Sequence, residues 1–67
     1  MFEHVKMRAL ERLNLKLSDF DCETLAKMVQ QNDTEPIKRH WHAVKFKGRI
    51  FKICYVKGRV RTVMNII

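Results

Sequence analysis

The chain has 67 residues, a net charge of +7 and 46% hydrophobic residues, with only two glycines and one proline. A chain this short holds one domain with a thin core, burying ~60% of its unfolded surface, and such a composition excludes a disordered basic tail. No apolar run is long enough to span a membrane, and Met1-Phe2-Glu3-His4 lacks the charged and apolar regions of a secretory signal, so the chain reads as a cytoplasmic protein.

In chain order, Phe2, Val5, Ala9, Leu10 and Leu13 follow helical spacing and predict a first helix over roughly residues 2–13. Asn14 is suited to the left-handed conformation that ends it. Ser18 reads as the N-cap of a second helix. Asp19, Asp21 and Glu23 suit the positive end of its dipole, and Leu17 and Cys22 have the spacing of a hydrophobic staple. Phe20, Cys22, Leu25, Ala26, Met28 and Val29 carry the apolar positions through about Gln31. Asn32-Asp33-Thr34-Glu35-Pro36 then reads as a turn.

After Pro36 the period changes from 3.6 to 2. Residues 41–47, 49–57 and 59–66 predict three strands, joined at Lys47-Gly48 and Lys57-Gly58 by two-residue hairpin turns. Those turns set a register. Val44, Phe46, Phe51, Ile53, Tyr55, Val60 and Met64 then share an apolar face with His42 and Thr62. Trp41, Lys45, Lys52, Cys54, Arg61 and Val63 share the other. The expected fold is α+β: two N-terminal helices packed on a three-stranded antiparallel meander. Residues 1–35 make the helical half of one domain and 36–67 the basic sheet half. Cys22 and Cys54 sit in apolar patterns and read as two free buried thiols.

The two halves differ in charge. From Lys38 onward there are nine bases and no acid: Lys38, Arg39, Lys45, Lys47, Arg49, Lys52, Lys57, Arg59 and Arg61. The first 37 residues hold five bases and all seven acids. A field this lopsided favours a polyanion, with RNA ahead of DNA. Trp41, Lys45, Lys47, Arg49, Lys52, Lys57, Arg59 and Arg61 are the candidate nucleic-acid contacts. Bases on neighbouring strands and turns meet successive phosphates, and the indole can stack on a base.

His4, Arg8 and Arg12 share one stripe of the first helix at i, i+4, i+8 spacing. If that helix lies across the sheet, His4 approaches His42 or Thr62. Such a group suits RNA cleavage, in which histidine moves a proton and Arg or Lys stabilises charge on phosphorus. His40-Trp41-His42 places two imidazoles on one side of a strand, but no paired metal-ligand spacing accompanies them. No cofactor is expected. The absence of a glycine-rich phosphate loop and of a nucleophile elbow argues against an ATPase, a nicotinamide enzyme or a serine hydrolase.

The opening HVKMRALERLNLKLSDFDCETLAKMV and the ending HAVKFKGRIFKICYVKGRVRTVM resemble small toxin-type proteins related to RelE and the colicin-type RNases. In that resemblance GRIFKICY is a central strand and VRTVM a closing one. It implies two helices against an antiparallel sheet and metal-independent RNA cleavage. The positions matching that family's functional residues are His4, Arg49, Lys52, Tyr55 and Thr62. The reading is a nucleic-acid-engaging protein, most specifically a toxin-like endoribonuclease or an RNA-binding module, with His4, Thr62 and Tyr55 as candidate catalytic groups. The alternative is a small phage or mobile-element regulator whose basic sheet binds a host protein or an acidic antitoxin. Trp41, Val63, Ile66 and Ile67 would add apolar contacts to such an interface. The chain is expected as a monomer or as a homodimer paired through its last strand.

Overall fold

The computed structural model describes residues 2–66; Met1 and Ile67 lie outside the described residues. Two helices, α1 (Glu3–Leu13) and α2 (Asp19–Gln30), precede four strands, β1 (Glu35–Lys38), β2 (Trp41–Phe46), β3 (Arg49–Val56) and β4 (Arg59–Met64). The strands form one antiparallel sheet in the order β1-β2-β3-β4. The α+β class is as expected, with four strands where the periodicity gives three.

Local chemistry fixes most boundaries. Asn14 ends α1 in the left-handed region at φ 51°. Ser18 starts α2 with a reciprocal cap: its hydroxyl accepts from the Asp21 N–H, and its own N–H donates to the Asp21 carboxylate at 2.9 Å. Leu17 and Cys22, the expected staple pair, are both buried. At each hairpin both central residues have positive φ, 53° and 74° at Lys47-Gly48 and 52° and 85° at Lys57-Gly58. That is the requirement of a type I′ turn, whose twist matches the strands it joins.

The extra strand is β1, which occupies Glu35-Pro36, expected as turn. All four of its residues are exposed, so it carries no burial alternation that a period of 2 could reveal. Proline is tolerated there because β1 is an edge, and a bulge lies between Pro36 and Lys38. His40 turns the chain into β2 at φ 67°.

The β2–β3 register is the expected one, with His42 opposite Ile53, Val44 opposite Phe51 and Phe46 opposite Arg49. The β3–β4 register begins as expected, Val56 with Arg59 and Tyr55 with Val60. It then slips by one residue, so that Cys54 faces Thr62 and Ile53 faces Val63. Arg61 is the additional residue of this bulge. Because strand side chains alternate, one inserted residue exchanges the faces of everything after it. Val63, expected on the open face, is fully buried, while Met64, expected in the core, is 37% exposed. Thr62 moves with Met64 to the face away from the helices.

Val5, Ala9 and Leu13 of α1, Leu17 of the connection and Cys22 and Leu25 of α2 pack with Val44, Phe51, Ile53, Val60 and Val63 of the sheet. Besides Met64, two expected members on the helices are absent from this core. Leu10 lies on the solvent side of α1 and Phe20 is 73% exposed, because each helix touches the sheet along a stripe narrower than its apolar content. Both cysteines are free, as expected, but only Cys22 is buried, and burial pushes its thiol up to about 11. Cys54 is half-buried on the open face.

Candidate nucleic-acid interface

The nine C-terminal bases separate into three groups, one at each end of the sheet and a third, Lys45 and Lys52, on its open face. At one end of the sheet, Lys47 at the β2–β3 turn reaches the Asp21 carboxylate at 2.9 Å. Beside it Arg49 donates to the Leu13 carbonyl at 2.7 Å. The first pair closes the α2 cap onto the hairpin. The second places a cation on the negative end of α1. These two candidate RNA contacts are therefore engaged in holding helices to sheet. The Lys47 ammonium, followed by the Ser18 N–H, holds the Asp21 carboxyl below the usual aspartate range.

The other end is different. The Tyr55 N–H donates to the His40 carbonyl at 2.7 Å, which seats the β1–β2 turn beside the end of β3. Lys38 and Arg39 of that turn thereby share one end of the sheet with Lys57, Arg59 and Arg61 at the β3–β4 hairpin. All five are exposed, and among the described residues none makes an ion pair with an acid. Glu23 and Glu3 line a groove with Arg59 and Arg61 but form no ion pair with them, while Asp19 takes Lys6 at 2.7 Å and Glu11 takes Arg8 at 3.1 Å. This uncompensated pole includes Lys38 and Arg39, which the sequence reading omits from its site. The missing signal is β1 itself, since a strand there folds both residues back toward the β3–β4 turn.

The open face of the sheet carries Trp41, Lys45, Lys52, Cys54 and Thr62. The Lys52 ammonium lies 5.3 Å from the Trp41 ring centroid, a cation–π contact. Ile50, 64% exposed, pairs across with Lys45, and Glu35 of β1 stands in the row of Ala43, Lys52 and Met64. The face is thus aromatic, apolar and basic, with one carboxylate at its edge.

The α1–β4 junction carries the histidine–arginine stripe. α1 packs along β4, so its N-terminal end lies near the start of that strand and its C-terminal end near the finish. Arg12 donates through Nη1 to the Val63 carbonyl at 3.2 Å and to Thr62 Oγ1 at 3.4 Å, and Asn65 donates to the Arg12 carbonyl at 2.9 Å. A guanidinium has five N–H donors, so Arg12 retains a free edge. Arg8 pairs with Glu11 on the same side of the helix. His4 is exposed at the N-terminal end of α1, where it lines a groove with Arg59 and Arg61.

The three candidate catalytic groups are not gathered at one point. Thr62 is held by Arg12, two helical turns beyond His4, a separation of about 12 Å along the axis. Tyr55 faces the helices, edge-on to His42 with ring centroids 6.2 Å apart, and its hydroxyl accepts from the Gln30 amide at 3.0 Å. His42 completes that cluster through Nδ1, 3.1 Å from Thr34 Oγ1. His42 and Thr62, expected side by side around Ile53, lie on opposite faces because of the Arg61 bulge. No group of three or more His, Cys, Asp or Glu side chains among the described residues is arranged to hold a metal ion.

The groove at the N-terminal end of α1 encloses about 800 Å³. Its floor is Val5, Cys22, Ala26 and Val60. Glu23, Lys27 and Gln30 of α2 line one side, and Gly58, Arg59 and Arg61 the other. Among the described residues no helix is long and apolar enough to cross a membrane. Comparison with protein-family models, with curated proteins and with solved structures finds no match for this chain.

Proposed function

We propose that this protein engages RNA through the basic pole and the adjoining α1–β4 junction, acting as a small toxin-like, metal-independent endoribonuclease. The observation that carries the reading is the cluster of Lys38, Arg39, Lys57, Arg59 and Arg61 at one end of the sheet, without acidic partners and next to the His4–Arg8–Arg12 stripe. Uncompensated cations on a small domain are suited to a phosphate backbone. Arg12 and the Thr62 hydroxyl bind a phosphate that lies along β4, with Arg59 and Arg61 adding charge.

In this scheme His4 takes the proton of a ribose 2′-hydroxyl. The 2′ oxygen bonds to phosphorus as the bond from phosphorus to the 5′ oxygen breaks. The departing oxygen takes a proton from water at the open junction. The products are a 2′,3′-cyclic phosphate and a 5′-hydroxyl. Because His4 and Arg12 stand about 12 Å apart along the helix, Arg59 and Arg61 face the attacked phosphate and Arg12 with Thr62 holds a neighbouring one. Tyr55, bonded to Gln30, has no place in the reaction and acts in positioning. The open face with Trp41, Lys45 and Lys52 receives the flanking single strand by stacking and charge.

The test is incubation of the purified protein with total RNA at low salt in the presence of EDTA, read by a cleavage gel and by a mobility shift. Fragments ending in cyclic phosphate that vanish in His4→Ala support the full scheme. Intact RNA with a salt-sensitive shift reduces it to a binding module. Intact RNA with no shift overturns it in favour of an acidic protein partner.

A further inference from the structure

We infer that the groove between α1, α2 and the β3–β4 turn is a guanine-recognition site, which would make the RNA engagement proposed above base-selective. The inference rests on that RNA reading and adds a base-selective ligand to the groove, which shares His4, Arg59 and Arg61 with the proposed phosphate site. The floor is apolar and built of small or medium side chains, Val5, Cys22, Ala26 and Val60, which suits the flat face of a base. Burial keeps the Cys22 thiol neutral, so the floor carries no charge. Beside Glu3 and His4 of the α1 end, Arg59 and Arg61 make no ion pair among the described residues and can hold the phosphate of the nucleotide whose base enters.

The side formed by α2 determines which base. Glu23 and Gln30 are two helical turns apart, about 10 Å, on either side of the small Ala26. Gln30 donates its amide N–H to Tyr55 Oη at 3.0 Å, which leaves its carbonyl oxygen as the group available to a ligand. The Glu23 carboxylate offers acceptors, and no described residue pairs with it. This side therefore offers acceptors to a base edge. Guanine presents adjacent donors, N1–H and the 2-amino group, on its Watson–Crick edge. Adenine and cytosine set a single amino group beside a ring acceptor, and uracil sets one N–H between two carbonyls. Only guanine gives a carboxylate two parallel hydrogen bonds, and Lys27 at the rim can donate to guanine O6. Tyr55 then has a positioning role, fixing the Gln30 amide.

The experiment titrates the full chain with the 3′-monophosphates of guanosine, adenosine, cytidine and uridine, followed by two-dimensional NMR of backbone amides. Guanosine monophosphate is expected to bind about tenfold tighter than the other three, with shifts at Cys22–Gln30 and Gly58–Arg61. Glu23→Gln, an exposed helical position, should abolish that preference, and Arg59→Ala should weaken all four nucleotides alike. Equal affinities, shifts outside the groove, or a preference that survives Glu23→Gln would overturn the inference. Salt-sensitive binding of single-stranded RNA, measured alongside, separates the two failures. If it persists without a guanine preference, the groove assignment alone is wrong; if it is absent, the RNA reading fails as well.

Discussion

The division of the nine bases makes a quantitative prediction about salt. Lys47 is committed to Asp21 and Arg49 to a helix carbonyl, Lys45 and Lys52 lie on the open face with Trp41, and Lys38, Arg39, Lys57, Arg59 and Arg61 stand together without acidic partners. If those five each neutralise one phosphate of a single strand, the pole alone makes log affinity fall with log salt at a slope of about −3.5, or about 0.7 per contact, and a strand long enough to reach Lys45 and Lys52 steepens it by about 0.7 each. Between about 50 and 200 mM salt that is a loss of about a hundredfold. Fluorescence anisotropy with a labelled single-stranded RNA measures it directly. Arg59→Ala or Lys57→Ala should reduce the slope by about 0.7 each. Lys47→Ala should leave the slope unchanged while lowering stability, because its charge already lies against Asp21. A flat salt dependence would refute the phosphate assignment. A slope that responds to Lys47 as strongly as to Arg59 would refute the division into structural and available bases.

Two further predictions concern the framework that presents the pole. Asp21→Asn keeps an acceptor for the Ser18 N–H but loses its charge and the half-exposed Lys47 partner, at a cost of about 1 kcal/mol. For a domain this size that is about 4–8 °C in melting midpoint. The folded carboxyl is held below its ordinary range, so its contribution is present above about pH 4 and disappears as pH falls through the folded value; the variant should therefore melt with a flatter acid limb, and an unchanged limb would refute the link. The Arg61 bulge predicts that Val63→Asp leaves the chain unfolded, since a domain of this length has about 3–10 kcal/mol to lose and an unpaired buried carboxylate removes several. Met64→Asp, on the open face in the row of Lys52, should change stability by about 0.5 kcal/mol or less; the reverse order in thermal melts would restore an unbulged register.

The parts of the fold legible in the sequence are those set by chemistry within a few residues. Asn14, Ser18 with Asp21, and the two Lys-Gly turns each act over one turn of chain, and each holds its expected position. The face assignment of β2 and most of β3 follows from counting outward from those turns. Counting fails at Arg61 because a bulge depends on how a strand meets its neighbour and the helix beside it. No residue in Val60-Arg61-Thr62 is a glycine or proline that would announce one. β1 is missed for the opposite reason: an edge strand with four exposed residues needs no hydrophobic pattern. Of the candidate site, the excess of bases was legible. Their sorting was not, because it depends on the His40–Tyr55 contact that folds the β1–β2 turn against the β3–β4 hairpin.

The two Lys-Gly turns show what that sorting implies. Both put a lysine in the left-handed region, a conformation that costs a residue with a Cβ about 1 kcal/mol or more. At Lys47 the side chain leaves the turn to meet Asp21, and the contact offsets part of that strain. At Lys57 no acid answers, and four more cations gather beside it. Like charges in one place repel, so this end of a thin-cored domain is electrostatically less stable than the Lys47 end. Asp19, Asp21 and Glu11 are held elsewhere by Lys6, Lys47 and Arg8, and Glu23, which lines the groove with Arg59 and Arg61, makes no ion pair with either. A polyanion relieves the repulsion, and the groove and His4 border the same end, while Arg12 lies toward the finish of β4. The molecule thus commits Asp21 to holding α2 to the sheet at one end and leaves the five cations of the opposite pole without ion pairs, which is the physical basis for reading that pole as a surface for a polyanion.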